Sequence, residues 1–206
     1  YNSGIWQQMG GTIEGQGSID YNGYSVSLSG SGTILAIGSL NISNVKIYRW
    51  FSNDWYQIGG VNGTINGDNI SDATGYAISL SSNGERVVIG EPHWEPNSTQ
   101  SGIGRVRVFK YNYVGENEYW TQLGSYMIGE HGGDNFGDAV AFSGDGTTIA
   151  VGAPYNDNNG TNSGFVKVYR YNANNNLWNQ IGLTLTGQSQ DDFGYSLSLS
   201  YTGSVL

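Results

Sequence analysis

Four stretches of the chain alternate small and bulky side chains. They are GYSVSLS from Gly23, GYAISLS from Gly75, GDAVAFS from Gly137 and GYSLSLS from Gly194. A period of two puts successive side chains on opposite faces, so each stretch predicts a strand, A. Nine residues after each opening glycine stands another, Gly32, Gly84, Gly146 and Gly203. Their neighbours are mostly Ser, Asn, Asp and Gly, which tolerate the positive φ of a tight hairpin. The stretch that follows, such as 34–38, is apolar without alternation and predicts a strand B buried on both faces. Strand C reads VKIYRW from Val45, VRVFKY from Val106 and VKVYRY from Val166, with a base at its second and fifth positions. Strand D centres on Trp6, Trp55, Trp120 and Trp178, each followed by a Gln (Gln8, Gln57, Gln122, Gln180) and then a Gly.

The A–B–C–D series recurs about every 57 residues, a period typical of a stacked supersecondary unit. It divides the chain into a strand D of a preceding unit (1–13), three units (20–66, 72–129 and 134–187) and strands A and B of a fourth (191–206). Antiparallel four-stranded sheets that are apolar on both faces need a neighbour on each side. A ring of blades supplies them, so the fold class is an all-β propeller of four-stranded antiparallel blades. Three units and two partial ones do not close a ring of about seven, which needs roughly 400 residues at this period. The segment is therefore expected to belong to a longer polypeptide; the alternative is a four-bladed ring closed by its two ends.

The third unit carries Phe136-Gly137 and then Gly152-Ala153-Pro154, within DNFGDAVAFSGDGTTIAVGAP. DDFGYSLSLS repeats the first half, and Asn22-Gly23, Thr74-Gly75, Gly38-Ser39 and Gly90-Glu91-Pro92 match more loosely. This grammar resembles the FG-GAP repeats of integrin-α-type β-propellers across essentially the whole chain. The resemblance implies a seven-bladed ring whose B–C and D–A links share one face, the ligand face of that family. It also implies a part in adhesion, cell-surface or matrix assembly. Many members of the family bind calcium in the A–B hairpin through a series of aspartates. Here the hairpins read SGSGT, SSNGE, SGDGT and SYTGS, with Glu85 and Asp145 as their acids. Calcium takes six to eight oxygens, several from carboxylates, so no cofactor is expected there.

Composition and charge narrow the partners. The net charge of −9 disfavours phosphate backbones and anionic membrane surfaces, so neither nucleic acid nor lipid is an expected partner. No apolar run approaches the ~20 residues of a membrane span. There is no cysteine, hence neither a disulfide nor a thiolate metal site. Nothing at the N-terminus resembles a signal peptide, so a targeting segment would lie upstream.

Candidate chemistry concentrates in the links. The B–C link varies most, and variable loops on a rigid scaffold are where recognition usually sits. Its candidate contact residues are His93, Trp94 and Glu95 in the second unit and Tyr155 and Asp157 in the third. Trp94 is a candidate exposed contact residue. His93 could join His131 of the next link in a zinc site, and the Asn-rich stretch from Tyr155 offers oxygens to calcium. Asp20, Asp72, Asp134 and Asp191 each stand three residues before a strand-A glycine, which suggests a turn-capping role. The strand-C bases are expected to pack their stems and pair between blades. The strand-D tryptophans are expected to pack between blades, the alternative being platforms for sugar rings. Asn41, Asn62, Asn69, Asn97 and Asn159 open Asn-x-Ser/Thr triplets and are candidate N-glycosylation sites. No nucleophile or phosphate-loop motif occurs. These features predict a non-enzymatic, extracellular or cell-surface module that binds protein or glycan through its variable links. The alternative is a propeller lectin.

Overall fold

The computed structural model describes residues 4–17, 19–97 and 100–206. Its strands form three antiparallel sheets in chain order. The first holds β1 (Asn22–Leu28), β2 (Ile34–Ser39), β3 (Asn44–Phe51) and β4 (Asp54–Gln57), with β5 (Ile65–Asn66) also on β3. The second holds β6 (Ala77–Leu80), β7 (Arg86–Glu91), β8 (Arg105–Val114) and β9 (Asn117–Gln122), with β10 (Met127–Ile128) also on β8. The third holds β11 (Ala139–Phe142), β12 (Thr148–Ala153), β13 (Phe165–Asn172) and β14 (Leu177–Thr186). These are strands A to D of each unit. Strand D is broken in the first two sheets, into β4–β5 and β9–β10, and continuous in the third.

The central strands show why the sheets stack. In β7, Val87 and Ile89 join a core with Ile34, Ala36, Val45 and Ile47 of the first sheet. Val88, on the opposite face, joins Val140, Phe142, Ile149 and Val151 of the third. Each such aliphatic side chain is worth about 1.5–3 kcal/mol when fully buried. Continuously apolar sequence thus becomes a sheet with a core on each side. The third sheet continues the series: Ala141, Ala150 and Val166 face Leu197 and Leu199.

Glycines set the approach between sheets. Gly75, Gly137 and Gly194 all have positive φ and lie on Gly38, Gly90 and Gly152 of the preceding sheet. A Cβ on any of the latter three would overlap the carbonyl oxygen of its partner. The glycine that opens strand A and the glycine that ends strand B are therefore two halves of one contact, repeated at three junctions. Serines of strand A bind along the same seam. Ser25 Oγ donates to the Gly75 carbonyl (2.6 Å), Ser27 Oγ accepts from Leu80 N (3.0 Å), and Ser79 Oγ accepts from Phe142 N (3.1 Å).

The A–B hairpins share one construction. The first residue of each is a serine (Ser29, Ser81, Ser143, Ser200) whose Oγ accepts the amide five residues on, at 2.9–3.0 Å. Within each loop the side chains then satisfy one another. Ser31 pairs with Thr33 (2.6 Å), Asn83 with Glu85 (2.9 Å), Asp145 with Ser143 (2.6 Å) and Thr202 with Ser204 (2.8 Å). With at most one carboxylate per hairpin, this donor set does not fit calcium. Adding millimolar calcium, or a chelator, is expected to leave the melting temperature unchanged; a rise of several degrees with calcium would contradict this.

Three of the strand-D tryptophans occupy one register position. Trp55, Trp120 and Trp178 pair across the sheet with Trp50, Tyr111 and Tyr171. The Trp55 indole donates to the Met9 carbonyl (3.1 Å) and Trp178 to that of Leu123 (2.8 Å). The Trp120 and Trp178 rings cover Gly59 and Gly124 of the preceding sheet, where a Cβ would meet the indole at 2.5 and 2.9 Å. The buried Trp120 nitrogen has no hydrogen-bond partner among the described residues. Trp178→Phe is therefore expected to cost more than Trp120→Phe by about 1 kcal/mol, one net hydrogen bond, in chemical denaturation. Equal losses would refute the assigned difference.

The two partial units depart from expectation. Among the described residues of 1–13 no strand forms, and Tyr1, Asn2 and Ser3 lie outside the described residues. Nor do residues 191–206 form a strand ladder. Strands need hydrogen-bonded partners. Residues 4–13 have no strand C beside them, and opposite residues 195–199 the hairpin places little beyond Val205 and Leu206. The fourth turn itself is formed, with Ser200 N donating to the Val205 carbonyl at 2.9 Å.

Candidate functional site

The B–C and D–A links gather on one face and enclose two clefts. One, of ≈ 470 Å³, lies between the D–A link before β11 and the B–C link after β12. His131 and Asp134 line it from the first link, and Tyr155, Asp157, Asn158 and Asn162 from the second. The other, of ≈ 480 Å³, is lined by Leu40 and Asn41, by Ile70, Ser71 and Ala73, and by His93. His93 and His131 thus belong to different clefts. Among the described residues no group of three or more His, Asp or Glu is placed to hold a metal ion.

Toward the inner strands, the residue after each strand-A glycine is Tyr24, Tyr76, Asp138 or Tyr195. The Tyr24 and Tyr76 rings lie 5.1 Å apart, and Tyr76 lies 6.2 Å from the His93 ring. Asp138 is 7% exposed. Its burial pushes the carboxyl up to about 6, against a smaller opposing effect of a hydrogen bond from Tyr76. Burial also raises Tyr155, with the nearby charge of Asp138 adding to it. Asp138, absent from the sequence-based candidates, thus joins these tyrosines in one cluster. The signal available was the repeat itself, since the other three copies have Tyr there.

This shift has a consequence for stability. A carboxyl raised from 3.8 to about 6 holds its proton more tightly folded than unfolded. The stabilisation is complete below about pH 4 and is lost as pH rises through about 6. Asp138→Asn removes the cost of the buried charge at neutral pH. It is expected to stabilise the protein by on the order of 2 kcal/mol at pH 8 and to leave it unchanged near pH 4. Melting temperatures across this range check it; an equal effect at both ends would contradict the assignment.

Beneath the same face lies a buried ionic group centred on the second sheet. Glu91 is 0% exposed and accepts from Thr74 Oγ1 (2.7 Å), Arg105 Nε and Arg107 Nη2. Arg105 also donates to Asp68 (2.6 Å), and its guanidinium holds the Asp68 carboxyl below the usual range. It stacks 4.7 Å over the Trp94 ring and 5.6 Å over Tyr126. Trp94 is 8% exposed. This corrects the expectation of an exposed contact residue: the ring is spent on covering a desolvated guanidinium, and it holds the B–C link against the core.

The other predicted residues are placed as follows. Asp20, Asp72, Asp134 and Asp191 each accept the amide three residues before, from Gly17 (3.2 Å), Asn69 (2.9 Å), His131 (3.0 Å) and Gln188 (2.7 Å). Among the strand-C bases, Lys167 pairs with Glu130 and Arg49 with Glu118 of the next sheet (3.6 Å). Glu95, Asp157 and Asn159 are exposed, as are Asn41, Asn69 and Asn97. Asn41 donates to the Ile19 carbonyl (2.7 Å) and Asn159 to that of Gly187 (2.7 Å). Asn62 closes a short 3-10 turn, Gly60–Asn62, and its side chain lies outside the described residues, as do Ser98 and Thr99 of the Asn97 triplet.

The third sheet, with its paired glycines, is also where sequence comparison finds a match. Residues 130–169 match the FG-GAP repeat model. This stretch is an FG-GAP repeat. The FG-GAP segment comprises the D–A link lining the first cleft, β11, β12, the B–C link and the start of β13. No curated protein sequence matches the chain significantly. Solved structures match its fold. A candidate 6-phosphogluconolactonase from Bacteroides fragilis has a TM-score of 0.55 at 14% identity, over 84% of this chain and 40% of its own. A second, from Bacteroides uniformis, gives 0.52 at 16%, over 79% and 40%. Saccharomyces cerevisiae Sqt1 gives 0.53 at 15%, over 84% and 38%. At such identities the likeness is one of fold. The chain spans about 40% of the length of these structures.

Proposed function

We propose that this chain is part of a propeller of about seven blades that acts as a non-enzymatic binding module outside the cell or at its surface. Three sheets covering about 40% of the similar structures are in keeping with such a ring. The observation that carries the reading is the shared face: links from successive FG-GAP-like units meet there around two clefts, on sheets locked together by glycine contacts. Rigid strands with variable loops suit recognition of a protein or glycan. Trp120 and Trp178 are engaged between sheets and Trp55 donates to the Met9 carbonyl, so these three do not favour a lectin built on them.

The test is saturable binding of the immobilised protein to cell-surface or matrix components, together with an assay on sugar-phosphate lactones. Binding is expected to fall at least tenfold in His93→Ala/Tyr155→Ala and to be unaffected by Asn53→Ala and Asn174→Ala in the C–D turns. Lactone turnover by the chain, or binding indifferent to the loop face, would overturn the reading.

A further inference from the structure

We propose that the cleft between His131 and Tyr155 binds the ring of a neutral saccharide, with Tyr155 as its platform. The inference rests on the loop face being the recognition surface and names the ligand class of one cleft in it. The volume, ≈ 470 Å³, lies within the range of small-ligand sites.

The lining groups decide the class. Asp157 accepts from Asn162 N through Oδ1 (2.7 Å), and its second oxygen has no partner among the described residues. The Asn162 side-chain amide makes no hydrogen bond among them either. Asn158 donates to Glu130 (2.9 Å), which leaves its carbonyl oxygen to accept. Donors and acceptors therefore stand side by side. Sugar hydroxyls, each able to do both, match that set. Tyr155 is half-buried and supplies the larger aromatic surface of the lining, against which the C–H face of a sugar can rest.

Other ligand classes fit less well. Among the described residues no Lys or Arg lines the cleft, while Asp134 and Asp157 do, so a phosphate or carboxylate would be repelled. Lys167, near the start of β13, is paired with Glu130. Among the described residues no aliphatic side chain lines the cleft, so an apolar peptide anchor has nothing to fill. The link is also held in shape before any ligand arrives. Asn158 N donates to Asn156 Oδ1 (3.0 Å), Ser163 Oγ to the Asn156 carbonyl (3.0 Å), and Asn159 Nδ2 to Gly187 (2.7 Å). Such pre-organisation lowers the entropic cost of binding.

Saturation-transfer NMR with the methyl glycosides of glucose, galactose, mannose and N-acetylglucosamine tests this, with glucose 6-phosphate as the charged probe. At least one neutral glycoside is expected to bind with millimolar affinity. Binding should weaken at least tenfold in Tyr155→Ala, survive in Tyr155→Phe, and weaken in Asp157→Ala. Binding by none of the four, binding that persists in Tyr155→Ala, or equal or tighter binding of glucose 6-phosphate would overturn the proposal. If no glycoside binds while partner binding still depends on the loop face, only this inference fails. Loss of both dependences removes the wider reading as well.

Discussion

Gly90→Ala is expected to destabilise the protein by about 3 kcal/mol, although it adds a single methyl group. Gly90 has no left-handed φ to protect, so backbone strain plays no part in the loss. The cost is steric. The new Cβ would overlap the Gly137 carbonyl oxygen and stand 3.0 Å from its carbon, both rigid backbone atoms of the next sheet. Relief requires the second and third sheets to move apart, and the shared core of Val88, Val140 and Ile149 then loses contact. Gly115→Ala is the control. Gly115 has φ +64 with nothing within 4 Å of a new Cβ, so that change costs only its backbone strain, about 1 kcal/mol. Urea denaturation of the two variants measures the difference. Equal losses would mean that the sheets do not meet at Gly90.

Glu91→Ala carries the other large effect, a loss of about 3–5 kcal/mol, because it leaves Arg105 and Arg107 buried without their shared carboxylate. The repeat supplies its own rescue. At the equivalent positions the third sheet has Ala153, Phe165 and Lys167, the first two buried in its apolar core. The triple variant Glu91→Ala/Arg105→Phe/Arg107→Lys copies that set into the second sheet. It should recover most of the stability lost by the single change, since replacing a buried ionic group by a matched apolar set is often close to neutral. Denaturation midpoints of the three proteins check this. A triple variant no better than Glu91→Ala would show that the ionic group is not an interchangeable filling of that site.

The repeat grammar carried most of the fold because its signals are local. Alternation, hairpin glycines and the Trp-x-Gln-x-Gly series each act within a few residues, and each falls where the sheets require it. What the sequence left open lies between sheets. Trp94 reads as an exposed loop aromatic until Arg105 is seen stacked on it, and the two are eleven residues apart across a turn. Asp138 looks like a polar variant of a strand-A residue until Tyr76 of the preceding sheet is placed beside it. In both places one unit departs from its siblings, with Glu91 for Ser39 or Ala153 and Asp138 for Tyr24, Tyr76 or Tyr195. Comparing the units with one another, position by position, was the signal to follow. The partial units failed for a different reason: alternation predicts a strand, but a strand persists only where a neighbour takes its hydrogen bonds.

The stacking of successive sheets through paired glycines is the claim from which both the shared loop face and its clefts derive. Its most direct test is the set of inter-proton NOEs between glycine Hα atoms in protein with selectively protonated glycine. Cross-peaks are expected for all three pairs, Gly38–Gly75, Gly90–Gly137 and Gly152–Gly194. Absence of all three, in a folded protein that shows the cross-strand contacts within each sheet, would contradict the stacked arrangement.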